Sequence, residues 1–195
     1  MIPGSTATSL TFACTCGGLS GEVSAKGLAT GTHVVCYCPD CRAGQLYFGQ
    51  PDPAPGPVDI FQMSPEYIHI TKGAKNLAVI RLGPKGLFRW YAKCCNAPLA
   101  TTTSSPKLPF AGFDVARFAD PALLGSVKTR AYVPQGNGKW KHERPGPAVL
   151  GMIRRVLSAR LSGRWRQNPF FSADTGEPAA PPHVITREER AALYD

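Results

Sequence analysis

The chain has 195 residues, 43% hydrophobic and 18% charged, with a formal net charge of +9. It is long enough to bury a real core as one domain with an appendage, or at most two small domains, and too apolar for an intrinsically disordered chain. No window approaches the roughly 18 apolar residues of a membrane span, and Met1-Ile2-Pro3-Gly4-Ser5-Thr6 lacks the basic start and apolar run of a signal peptide, so the expected location is cytoplasmic.

With 20 Gly and 19 Pro the chain is rich in turns, which favours β structure. Ser9-Leu10-Thr11-Phe12-Ala13 alternates polar and apolar residues and reads as a short strand leading to Cys14-Thr15-Cys16-Gly17-Gly18. His33-Val34-Val35 is a second strand, leading into Cys36-Tyr37-Cys38-Pro39-Asp40-Cys41. Four prolines between Gln50 and Pro57 rule out a ladder strand and mark a loop that follows this second cluster, either bordering a cleft or simply crossing the surface. Tyr67-Ile68-His69-Ile70 alternates again before Thr71-Lys72-Gly73. Leu77 to Leu82, a turn at Gly83-Pro84-Lys85-Gly86 and Leu87 to Tyr91 have the form of a hairpin that delivers Cys94 and Cys95. The expected fold is therefore mainly β, with a cysteine-bearing β domain over residues 1–145 and a C-terminal helix and arm over 146–195.

The seven cysteines lie in three tight groups, and none stands alone. In a reducing compartment such thiols serve metals or catalysis rather than disulfides. A tetrahedral zinc with bonds of about 2.3 Å to sulfur needs thiolates within about 4 Å of each other, and one or two intervening residues in a turn achieve that. Ordinary buried cysteines would explain one CxxC, but not three clusters in one chain. An iron–sulfur cluster also takes four cysteines, so metal binding is the broader expectation and zinc the preferred metal. Seven divides as four plus three: four thiolates close a structural zinc, whereas three leave a position for water, substrate or another side chain.

Cys14, Cys16 and Gly17, then Cys36, Cys38, Cys41 and Arg42, then Gly73, then Trp90-Tyr91-Ala92-Lys93-Cys94-Cys95-Asn96-Ala97-Pro98-Leu99 together resemble the glutathione-dependent formaldehyde-activating enzyme family and its centromere-protein V relatives. The resemblance covers roughly residues 9 to 135, and RWYAKCCNAPL looks like an uncharacterised branch of that superfamily. It implies a β-tent of antiparallel strands around two zincs. Cys14, Cys16 and Cys95 would hold a structural zinc, and Cys36, Cys38 and Cys41 a second zinc that meets a small thiol adduct such as that of glutathione, in a carbon–sulfur lyase reaction. The late motif departs from the family's FCxxCG, with Ala92 in place of the first cysteine and Asn96 in place of the glycine. Cys94 either joins the first site, which requires the backbone to turn between it and Cys95, or faces the other metal, or packs in the core.

After Pro147, Val149, Leu150, Ile153, Val156, Leu157 and Leu161 recur at helical spacing with Arg154, Arg155 and Arg160 between them. Lys139 to Arg166 carries eight Lys or Arg against Glu143, a local balance of +7. The expected arrangement packs the apolar stripe on the β domain and leaves the arginines in water. Contact of the helix with nucleic acid or an anionic membrane is the competing reading of this segment, and the alternative function is a non-catalytic zinc-stabilised binding or scaffold protein whose basic helix meets a partner or nucleic acid. Asn168-Pro169-Phe170-Phe171 and the stretch from Pro178 to Pro182 read as a surface arm, and Thr186-Arg187-Glu188-Glu189 as a capping box opening a short helix through Leu193. His33 and His69 sit in strands as core or surface residues, with His33 near enough to Cys36 to orient a ligand. Asp40 would hydrogen-bond a metal-bound water or simply shape its turn. No nucleophile with its base and no phosphate-binding glycine loop is evident, so no catalytic residue is assigned.

Overall fold

The computed structural model describes residues 9–194; the Met1–Thr6 segment read above for a leader lies outside them. The strands in chain order are β1 (Leu10–Ala13), β2 (Ser20–Val23), β3 (Thr32–Cys36), β4 (Val58–Met63), β5 (Ile68–Lys72), β6 (Leu77–Arg81), β7 (Phe88–Ala92), β8 (Ala97–Thr102), β9 (Ala111–Asp114), β10 (Thr129–Pro134), β11 (Trp140–Glu143) and β12 (His183–Val184). The α-helices are α1 (Ala25–Thr30), α2 (Pro39–Tyr47), α3 (Pro145–Leu161) and α4 (Arg187–Ala191). The protein is mainly β, as its turn-rich composition and alternating segments require.

Two sheets form. The smaller is antiparallel in the order β1-β2-β5; the larger runs β11-β10-β3-β4-β9-β8-β7-β6-β12. The large sheet is antiparallel except near its edges, where Thr129–Ala131 of β10 runs parallel to Val34–Cys36 of β3 and His183–Val184 runs parallel to Ile80–Arg81. Leu10 and Phe12 of β1 face inward while Thr11 and Ala13 face out, the signature of a half-buried strand. All five residues of β3 are buried, because β10 and β4 flank it and α3 also packs against it. The core between the sheets centres on Trp90, Phe61, Phe113, Leu99 and Met63, each almost fully buried. Burial of such side chains contributes about 1.5–3 kcal/mol apiece.

The hairpin β6–β7 forms in the register Leu77↔Ala92 to Ile80↔Arg89, so β7 ends just before the Cys94–Cys95 pair. The arm is less superficial than its sequence suggests. Phe170 and Phe171 are buried against Trp90, with ring centroids at 5.1 and 5.9 Å. The capping box at Thr186 and Glu189 opens α4, and a single 3₁₀ turn, Ala192–Tyr194, follows it. Leu193 and Ile185 join Ala43, Phe48, Ile80 and Leu82 in a second apolar cluster that holds α2 and the C-terminal tail on the large sheet.

The helix α3 corrects the expected packing. Its inward side chains are Arg155 and Ala159, while Val149, Leu150, Ile153, Leu157 and Leu161 are exposed. The guanidinium of Arg155 donates to the Thr30 carbonyl (2.9 Å) and Thr32 Oγ1 (3.1 Å), and Gly151 leaves room for it. The small residues Gly151 and Ala159 form the face that approaches the sheet, with the arginine between them, and the aliphatic stripe is left outside. No helix among the described residues is long and apolar enough to cross a membrane.

Candidate metal centres

The first centre gathers Cys14 and Cys16 from the loop after β1 with Cys94 and Cys95 from the turn between β7 and β8. The four sulfurs lie within 4.8 Å of one another. Cys14 and Cys16 are 3.7 Å apart, Cys14 and Cys94 3.7 Å, and Cys16 and Cys94 3.4 Å. All seven cysteines are free, so these are not disulfide distances but the spacing of thiolates around a tetrahedral metal, whose 2.3 Å bonds set sulfurs about 3.8 Å apart.

The local backbone explains how adjacent Cys94 and Cys95 reach one point. They sit in a turn, where strand alternation does not apply, and Cys95 N–H donates to the Ala92 carbonyl (3.2 Å). Asn96 closes the turn at φ 54°, a left-handed conformation that asparagine tolerates. Gly18 is required for contact: a Cβ there would lie 3.0 Å from Cys94 Sγ and 3.2 Å from Cys16 Sγ. Gly73 lets β5 close on this loop, since its Cβ would fall 1.9 Å from the Gly18 carbonyl oxygen. Asn76 Nδ2 and Lys72 Nζ then donate to the carbonyls of Gly18 and Gly17. Leu19 N–H donates to Cys14 Sγ at 3.2 Å, which fixes the sulfur's position in the loop. Partial loss of water, then the thiols of Cys16 and Cys14, push Cys94 up to about 12. For Cys95 loss of water acts upward too, but backbone hydrogen bonds at Cys16 and Ala97 bring it down to about 7.

The second centre is a single turn of chain. Cys36 ends β3, Cys38 caps α2, and Cys41 lies in its first turn, with their sulfurs again within 4.8 Å. Pro39 at the first helical position and Asp40 beside it are strong helix-start signals, and Cys38 Sγ accepts from Cys41 N–H at 3.3 Å in the manner of a capping oxygen. The thiols of Cys36 and Cys41, then that N–H and the charge of Arg89, hold Cys38 down at about 2. The proton is displaced onto its neighbours: Cys38 pushes Cys36 up to about 11, and Cys36 and Cys38, with burial, push Cys41 well above the usual thiol range. The mutual repulsion of three closely spaced sulfurs is what a bound cation would relieve.

Cys36 and Cys38 line an open groove of about 260 Å³, whose walls are Tyr37, Pro39, Arg42, the proline loop at Pro53–Gly56, Pro134 and Tyr194. Arg42 is clamped to Asp52 by bonds of 2.8 and 2.6 Å, which fixes the proline loop beside the cluster and holds Asp52 down at about 2. Behind the cluster, Cys41 borders an inner cavity of about 30 Å³ with Gln45, Arg89 and Asp114, room for about one water. Burial raises the Asp114 carboxyl, although Gln45 Nε2 donates to it at 2.7 Å.

The other sequence candidates lie elsewhere. His33 is satisfied by the Gly125 carbonyl (2.6 Å) and Asp59 (2.7 Å), and His69 is exposed on β5. Asp40 is engaged by Arg190 of α4, and Tyr194 Oη donates to the Pro39 carbonyl at 3.0 Å, so the C-terminal tail is tied to the first turn of α2. Arg89, Gln45, Asp114 and Tyr194 were not singled out from sequence. Arg89 falls on the face opposite Phe88 and Trp90, which alternation reads as outward, and it is buried only because both faces of β7 are covered, so none of the four carries a signal in the sequence.

The donor sets fit metal ions: one cluster offers four thiols, the other three, and both are sized for a tetrahedral ion. Among curated proteins none matches the chain. A crystal structure of a Rhodobacter sphaeroides protein from structural genomics is similar, with 22% identity, coverage of 62% of this chain and 98% of that one, and a TM-score of 0.42. The sequence pattern of DUF6151, described as a family of unknown function, matches residues 6–178, and the chain belongs to that family.

Proposed function

We propose that this is a two-zinc protein related to the glutathione-dependent formaldehyde-activating enzymes, with a structural zinc at Cys14, Cys16, Cys94 and Cys95 and a ligand-facing zinc at Cys36, Cys38 and Cys41. The observation that carries the reading is that two of the three thiols in the incomplete cluster open onto a groove large enough for a small thiol adduct. Zinc bound there would supply a Lewis acid toward a substrate sulfur or carbinol oxygen. The protein's own groups do the rest. The proline loop and Tyr37 wall off one side of the groove, and Arg42, whose Nε and Nη2 are held by Asp52, leaves Nη1 to donate to a substrate oxygen.

The test is the carbon–sulfur lyase reaction itself. The zinc-loaded protein, mixed with formaldehyde and glutathione, is expected to accelerate exchange between the free components and the S-hydroxymethyl adduct in an NMR exchange experiment, and Cys38→Ser to abolish the acceleration. Unchanged exchange with the loaded wild type would contradict the reading and favour the scaffold role, for which the outward-facing stripe of α3 is the supporting observation.

A further inference from the structure

The unexplained feature of the surface is α3. Val149, Ile153, Leu157 and Leu161 follow one another at intervals of four, with Leu150 beside them, so at 3.6 residues per turn they form one stripe. Leu157 is 55% and Leu161 88% exposed. The opposite face is already spent on the β domain through Gly151, Arg155 and Ala159. Arg154 and Arg160, both exposed, flank the stripe, and no carboxylate occurs anywhere in the helix.

A second observation lies at the edge of the stripe. Leu150 and Arg154 also line a groove of about 470 Å³ between α3 and the α1–β3 corner, where they meet Lys26 and the buried Arg155. Arg155 has no carboxylate partner among the described residues, and its Nη2 has no hydrogen-bond partner there. The groove's carboxylate, Glu66, is already engaged by Arg164 Nε and Ser64 Oγ, both at 3.1 Å. The groove is thus a cationic recess beside an aliphatic stripe, in a chain of net charge +9.

We propose that α3 docks on an anionic phospholipid bilayer, its aliphatic stripe entering the interface while Arg154, Arg160 and the adjoining cationic groove take lipid phosphates. Charge complementarity selects this occupant. A second copy would bring arginine rows together with no carboxylate on the helix to separate them. Nucleic acid would satisfy the arginines and leave five aliphatic side chains wet, with no aromatic on the stripe for a base to stack on. An amphipathic helix with cationic flanks matches both halves of a membrane surface.

The experiment is flotation of the metal-loaded full chain with vesicles of phosphatidylcholine alone or mixed with phosphatidylglycerol. Association is expected with the anionic vesicles and not the neutral ones, and is expected to weaken as salt rises. Arg154→Gln with Arg160→Gln should weaken it roughly thirtyfold, and Ile153→Ser with Leu157→Ser by roughly tenfold or more. Leu123→Ser, at an equally exposed apolar position off the helix, should change nothing. All these positions are exposed, so thermal melts should match the wild type. Failure to float with anionic vesicles would overturn the proposal, as would flotation unaffected by the serine variant. A dimer in sedimentation equilibrium that the serine variant dissolves, without vesicle association, would overturn it in favour of a second copy, and duplex binding that the serine variant keeps, again without vesicle association, in favour of nucleic acid.

Discussion

The two cysteine clusters use the same donor in opposite ways. The four-thiol cluster joins residues 80 apart in sequence, from the end of β1 to the turn after β7. The three-thiol cluster is a local turn running from the end of β3 into the first turn of α2. Closing a loop of that length constrains the unfolded chain by about 4.5 kcal/mol in the entropic account of cross-links, whereas a loop of a few residues constrains it by only about 1–2 kcal/mol. A metal in the first is therefore a staple between the small sheet and the large one. A metal in the second adds little to the fold and is free to be used for something else.

That contrast breaks most readily at Cys14, which is buried. Cys14→Ser is expected to destabilise the protein by about 4 kcal/mol or more, read as a large drop in melting temperature together with loss of metal. Cys38→Ser should lower stability by about 1–2 kcal/mol at most, and equal losses in the two variants would erase the distinction. Gly18→Ala should cost about 1–2 kcal/mol, because its Cβ would press on Cys16 and Cys94, and should weaken metal at the four-thiol centre alone. The pH dependence sharpens the comparison further. Cys36 and Cys41 hold their protons well above neutral pH, so metal entering the three-thiol centre must expel them; its affinity should fall by about tenfold per proton for each unit the pH drops, visible in competition with a chromophoric chelator.

The smallest effect is expected at the exposed loop tie. Arg42 lowers Asp52 to about 2 from an unfolded value of 3.8, so its contribution is present above pH 3.8 and fades as pH falls toward 2. Asp52→Asn should therefore speed proteolysis of the proline loop at neutral pH and leave global stability nearly unchanged.

Much of this was legible in the sequence, and the failures share a cause. The Cys36–Cys38–Cys41 group, the β6–β7 hairpin and the capping box at Thr186 are local signals and formed where the residues placed them, whereas the place of Cys94, open in the sequence, is decided only by the turn that brings it to Cys14 and Cys16. Asn96 is visible in the sequence only as the residue after Cys95, and the left-handed backbone it supplies shows only in the folded turn. Pro39 and Asp40 were visible as a turn, yet the helix they open depends on Ala43 and Phe48 finding Ile80 and Leu82 across the sheet. The orientation of α3 failed for a sharper reason. Periodicity identifies a stripe but not its partner, and the face that packs is the one where Gly151 and Ala159 let the helix approach and Arg155 reach acceptors at Thr30 and Thr32. The arm could not be placed because Phe170 and Phe171 are read as core only once Trp90 is known to be beneath them.

The central claim is that two separable metal centres exist, one holding the fold and one available to a ligand. Metal content per chain, measured on protein purified without added metal and repeated for Cys38→Ser, tests it most directly. The account predicts zinc at both clusters in the wild type and at the four-thiol cluster alone in the variant, with the melting transition retained. A single zinc in the wild type, or collapse of the fold when Cys38 is lost, would contradict it.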